Sequence, residues 1–105
     1  MTTNKRYPNL AGRLMNERIL KQAAAAHPLQ TLTDQELQRG VLPITRDPQP
    51  KKCRAWVRFG PNAVLVDAEV VMWNDVACGI QFAVEEKLMR CWVWSNAVAA
   101  VPPPR

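Results

Sequence analysis

The sequence predicts an α+β fold, an N-terminal helical segment followed by a small antiparallel β-barrel of four to five strands. Three observations lead there. Apolar residues recur at helical spacing up to Ala26, and after Pro50 they recur at every second position. The change falls across a stretch, Pro43 to Pro50, that holds three prolines in eight residues. The chain has 105 residues, 48% apolar and 22% charged, which suits one small core and is too short for two.

Residues 1–8 are polar, end in Tyr7-Pro8, and read as an N-terminal arm. A helical segment spans 9–42. Asn9 can cap a first helix, because its side chain can accept a free N–H of the first turn. Leu10 to Ala26 contains no proline and many strong helix formers. Ala11, Met15, Ile19, Ala23 and Ala26 trace one apolar stripe, with Leu10 and Leu14 beside it. His27-Pro28 stops the helix, since a residue before proline avoids the α region. Thr33-Asp34-Gln35-Glu36 is a capping box opening a second, short helix that stops at Gly40.

Residues 43–51 read as a Pro-rich linker and 52–101 as the barrel. Cys53, Ala55, Val57 and Phe59 point inward, with Arg54, Trp56 and Arg58 outward. Gly60-Pro61-Asn62 turns the chain into a strand over 63–73. There Val64, Val66, Ala68, Val70 and Met72 are expected inward, and Asp67, Glu69 and Trp73 outward. After Asn74-Asp75, the residues Val76, Cys78, Ile80, Phe82 and Val84 look inward from a third strand. Glu85-Glu86-Lys87 reverses the chain into a fourth, with Met89, Cys91 and Val93 inward and Arg90, Trp92 and Trp94 outward. Ala97 to Val101 makes a short fifth strand, and 102–105, Pro102-Pro103-Pro104-Arg105, is a Pro-rich tail that cannot pair.

So many short antiparallel strands around one apolar set are best closed, because closure removes the exposed edges. The run Trp92-Val93-Trp94-Ser95-Asn96-Ala97-Val98 resembles the end of an SH3-like barrel, where a strand enters a Ser-Asn 3₁₀ turn before a final Val-containing strand. The resemblance rests on these seven residues and on strand number and spacing across 52–101. It implies a small SH3-like barrel acting as a binding scaffold. The acidic-aromatic opening motif of eukaryotic SH3 domains is missing, so Pro-rich peptide binding does not carry over.

Charge gives the first hint of a partner. Fourteen basic and nine acidic residues leave +5, which suits a polyanion and also plain solubility. Lys51, Lys52, Arg54 and Arg58 fall within eight residues with no acid among them. No apolar run approaches the roughly 20 residues of a membrane span, and Met1 to Arg6 leads into no apolar signal region. A cytoplasmic protein with no membrane partner is expected, in a bacterial, phage or mobile-element setting that suits so small a basic chain.

The cysteines are odd in number (Cys53, Cys78, Cys91), have no CxxC spacing, and sit at inward positions. Buried free thiols are expected rather than disulfides. A zinc site of three cysteines and His27 would lack the local ligand pairs that such sites use, so no metal or other cofactor is expected. The single histidine, His27, has no nearby carboxylate or nucleophile to work with. Asp67 and Glu69 share a strand face, where two solvated charges are the common case, and no phosphate-binding glycine loop occurs. The chain is expected not to be an enzyme.

One face remains. Lys52, Arg54, Trp56 and Arg58 on the first strand and Arg90, Trp92 and Trp94 on the fourth project outward, with Lys51 adjoining. Indoles can stack bases and cations can follow phosphates, so nucleic acid is the expected partner of these eight residues. The alternative is a protein-interaction or assembly subunit, a homo-oligomer included, docking through Met15 and Ile19 or through the tryptophans. Exposed tryptophan is costly, and the helix stripe also needs cover. Laying helix 10–26 across Trp56, Trp92 and Trp94 would satisfy both, and this is the arrangement the sequence favours.

Overall fold

Alternation of small apolar with polar residues from Cys53 onward fixes which side of each strand is dry, and the computed structural model follows it closely. It describes residues 10–101, with side chains from Asn16 onward. The arm 1–8, the cap at Asn9, the tail 102–105 and the side chains of Leu10, Ala11, Leu14 and Met15 lie outside the described residues. The chain runs α1 (Leu10–Ala26), α2 (Asp34–Leu37), β1 (Thr45–Phe59), β2 (Asn62–Trp73), β3 (Ala77–Val84), β4 (Lys87–Trp94), a 3₁₀ turn (Ser95–Ala97) and β5 (Val98–Ala100). One helical part and one five-stranded antiparallel sheet make an α+β fold, with strand order β4-β3-β2-β1-β5.

The stretch read as a linker is extended, but from Thr45 it is already β1. Thr45 pairs with Trp73 and Arg46 with Met72; the ladder then skips to Lys51 opposite Val70. Residues 47–50 therefore bulge out of the ladder. Pro48 and Pro50, which have no N–H to give, sit where none is asked for. Asp47 Oδ1 tightens the bulge by accepting the Gln49 N–H at 2.8 Å.

A second skip corrects the face of Met72. Val70 pairs with Ile80 but Met72 pairs with Gly79, so one residue of β2 is extra. Side chains directly opposite share a face, and a one-residue slip moves every later residue of the strand to the other side. Met72 is consequently on the outer face, where a Cβ placed on Gly79 would meet Met72 Cγ at 2.7 Å and the Trp92 ring at 3.4 Å. Trp73 stands opposite Cys78 and Thr45 at the end of the strand and is 38% exposed. Val76, expected inward from β3, lies in the turn before it.

The dry interior is otherwise as the period predicts. Cys53, Ala55, Val57 and Phe59 meet Val64, Val66 and Ala68, then Ile80, Phe82 and Val84, then Cys91 and Val93. Phe59 and Phe82 pack edge to face, with ring centres 6.4 Å apart. Helix α1 adds Ala23, with Leu20 and Ala24, to this same interior. Asn16 Nδ2 anchors the helix by donating to the Leu65 carbonyl at 3.0 Å. The covered helix face is thus Asn16, Leu20, Ala23 and Ala24; of the expected stripe Ala23 is buried as predicted, while Ile19 and Ala26 are exposed. The helix does not lie across Trp56, Trp92 and Trp94.

β4 and β5 stand at opposite ends of the strand order, yet three residues join them, so the sheet must curl until its ends approach. The segment Leu29–Leu32 spans what gap is left. Leu29 bridges to Phe59, and the Gln30 N–H donates to the Arg58 carbonyl at 2.9 Å. The Leu32 N–H donates to the Trp92 carbonyl at 3.1 Å, and Thr31 Oγ1 accepts the Trp92 N–H at 2.8 Å. Beyond this strap, α2 begins with the capping box read from sequence. Thr33 Oγ1 accepts the Glu36 N–H, and Glu36 Oε1 accepts the Thr33 N–H. The helix lasts a single turn, because Gln38 turns into the left-handed region before Gly40 is reached. Buried Asn74 fastens it, donating to the Leu37 carbonyl at 2.9 Å while its Oδ1 accepts the Val76 and Ala77 N–H groups.

Candidate functional site

Outward positions of β1 and β4 are separated by two strands in the sheet order, and curling brings them round to the two sides of the strap. A groove of 490 Å³ opens there. Trp56 and Arg58 line it from β1, Trp92 and Trp94 from β4, and Gln30, Thr31 and Leu32 from the strap. Trp56 is 53% exposed and Trp94 42%, while Trp92 is half-buried against Gly79. The three indoles expected to share a surface do share one, and α1 leaves it open. Glu36 of α2 also lines it, its Oε1 accepting the Thr33 N–H.

The cations divide. Arg54 faces Asp67 across the ladder with Nε to Oδ1 at 3.4 Å. Lys51 reaches Asp47 at 3.3 Å and lies opposite Val70, on the other face from Lys52, Arg54, Trp56 and Arg58. Glu69 accepts from Gln81 Nε2 at 2.9 Å. Lys52, Arg58 and Arg90 have no carboxylate within 4.0 Å among the described residues. Of these, Arg58 lines the groove, Arg90 lies two residues along β4 from Trp92, and Lys52 lies six residues along β1 from Arg58, roughly 20 Å away. Sequence pattern had placed the eight residues on one surface; four of them form the groove, and Lys51 is not on that face at all.

The strap and Gly79 were not legible as parts of the site. Gln30, Thr31 and Leu32 carry no periodic signal. A glycine at an outward strand position is a sign of close approach, and Gly79 could have been read that way.

The other candidates fall elsewhere. Ile19, proposed with Met15 for partner binding, is on the solvent side of α1 and 47% exposed. Cys53 and Cys91 are buried, and Cys78 is half-buried. Burial pushes the Cys53 and Cys91 thiols up to about 11, and raises Cys78 against the opposing effect of a Ser95 hydrogen bond. All three are therefore protonated thiols near neutrality and poor nucleophiles. His27 sits against Gly60, where an added Cβ would come within 2.6 Å of its Cγ. No cluster of three His, Cys, Asp or Glu side chains suited to a metal ion occurs among the described residues. None of the described helices is long and apolar enough to cross a membrane.

Comparisons with protein-family models, with curated proteins and with solved structures gave no match.

Proposed function

We propose that this chain is a non-catalytic binding module that holds nucleic acid on the outer face of its sheet, with the tryptophan groove as the contact. The observation that carries the reading is the convergence of three indoles from β1 and β4 beside Arg58, a guanidinium with no carboxylate partner among the described residues. Aromatic faces accept bases and fixed cations accept phosphates, and the net charge of +5 favours approach of a polyanion. We read the curled sheet as a small barrel of the SH3-like kind. The strand order, the 3₁₀ turn between β4 and β5, and the pairing of β5 with β1 support this. Such barrels serve as scaffolds for binding rather than for one chemistry.

The test is binding of DNA and RNA, single- and double-stranded, at two salt concentrations. Binding that weakens with salt and is reduced by Arg58→Glu is the expected result. Failure to bind any of the four at low salt removes the reading. A second reading, a subunit that docks on a protein partner or a second copy, draws on Ile19 standing exposed on α1. A single exposed apolar residue is ordinary on a soluble surface, so this reading ranks below the first. Sedimentation of Ile19→Glu beside the parent chain tests self-association: a monomer in both cases counts against it.

A further inference from the structure

We infer that the groove takes unpaired bases of a single-stranded nucleic acid, held mainly by stacking on indoles and only secondarily by phosphate contacts. This rests on the nucleic-acid reading above and sharpens it.

Three features point to single strands. The indoles line an open groove together with the strap, so their faces are presented to bases that are free to enter it. In a duplex the base faces are already stacked on one another, and stacking on a side chain requires a strand whose bases are free. The recess, at 490 Å³, falls in the range that accommodates a small organic ligand, and so the unit it receives is a nucleotide or two rather than a duplex segment.

The charge distribution agrees. A protein that makes about 6–10 phosphate contacts on a duplex loses affinity steeply with salt. Here Arg54 is paired with Asp67 at 3.4 Å, and Lys51, paired with Asp47, lies on the other face. Arg58 is left in the groove with Glu36, while Arg90 lies two residues along β4 from Trp92 and Lys52 roughly 20 Å away along β1. About two or three phosphate contacts give a shallow dependence on salt, a log–log slope of roughly −2 for a single strand. Affinity must then come from the aromatic faces. Trp56 and Trp94 offer the most open ones, and Trp92, half-buried against Gly79, is less open.

The experiment titrates the full chain with three oligonucleotides of about ten units, following tryptophan fluorescence. These are oligo-dT, an abasic oligomer with the same number of phosphates, and a duplex of equal length. The proposal expects oligo-dT to quench fluorescence and bind with a slope near −2. The abasic oligomer should bind at least ten-fold more weakly, and so should the duplex. Trp56→Ala should weaken oligo-dT by about 5- to 100-fold and leave the residual abasic binding unchanged. Trp56 is exposed, so its variant is expected to melt with the parent, which circular dichroism checks. Equal binding of the abasic oligomer, or duplex binding as tight as oligo-dT with a slope beyond about −5, overturns the inference while leaving a nucleic-acid binder. Absence of binding to all three at low salt overturns both.

Discussion

Single residues carry most of what distinguishes this interior. Ile80 is 1% exposed at the centre of the core, whereas Val70, its ladder partner, is only half-buried at the edge of the bulge. A carboxylate at Ile80 has no partner and costs several kcal/mol, so Ile80→Asp should abolish the cooperative urea transition. Val70→Asp should lower the midpoint while retaining the transition. Equal effects of the two would mean that the bulge leaves Val70 as well buried as Ile80. Gly60 has φ +62° and His27 packed over it, so Gly60→Ala combines backbone strain with a clash. A loss of about 1–3 kcal/mol in denaturant unfolding is expected. The thiols give a pH signature. Cys53 and Cys91 ionise near 11 when folded against a usual value of 9.0, so between those values the folded state holds more protons than the unfolded one. Stability is intact below pH 9 and declines as pH rises towards 11. Melting temperature measured over that window should fall less steeply in Cys91→Ala, after allowing for its lower starting stability.

At the scale of elements, periodicity was a good guide wherever a strand or helix kept its register, and failed where it slipped. The inward run Cys53, Ala55, Val57 and Phe59 follows from alternation alone, and Thr33 with Glu36 announces a capping box that the hydrogen bonds reproduce. Thr33→Ala should cost about 1 kcal/mol in denaturant unfolding, as cap losses do. Met72 could not be placed, because the bulge beside Val71 leaves no mark in composition. Pro48 and Pro50 argued for a linker since proline cannot donate to a ladder; the four-residue bulge that spares them that duty is visible only in the pairing. Helix α1 was read with its stripe through Ile19, but a polar residue, Asn16, lies on the covered face because it has a carbonyl to bind. For the site, the indoles were legible as outward residues. What was not legible is that a segment far upstream would run between them.

The molecule as a whole is held shut by that upstream segment. Leu29–Leu32 satisfies backbone groups of both β1 and β4, so the curled sheet does not offer those positions as open edges. Native-state hydrogen exchange checks this: the amides of Gln30, Leu32 and Trp92 should be protected nearly as well as that of Ile80. Exchange as fast as in surface loops would mean that the strap is not part of the closed unit. Because the strap emerges early in synthesis and its partner Trp92 about sixty residues later, the sheet cannot close on the strap until β4 has been made. Until β4 arrives, the tryptophans and the apolar lining of β1 and β2 stay unsheltered, and it is in that interval that a newly made chain is most open to aggregation.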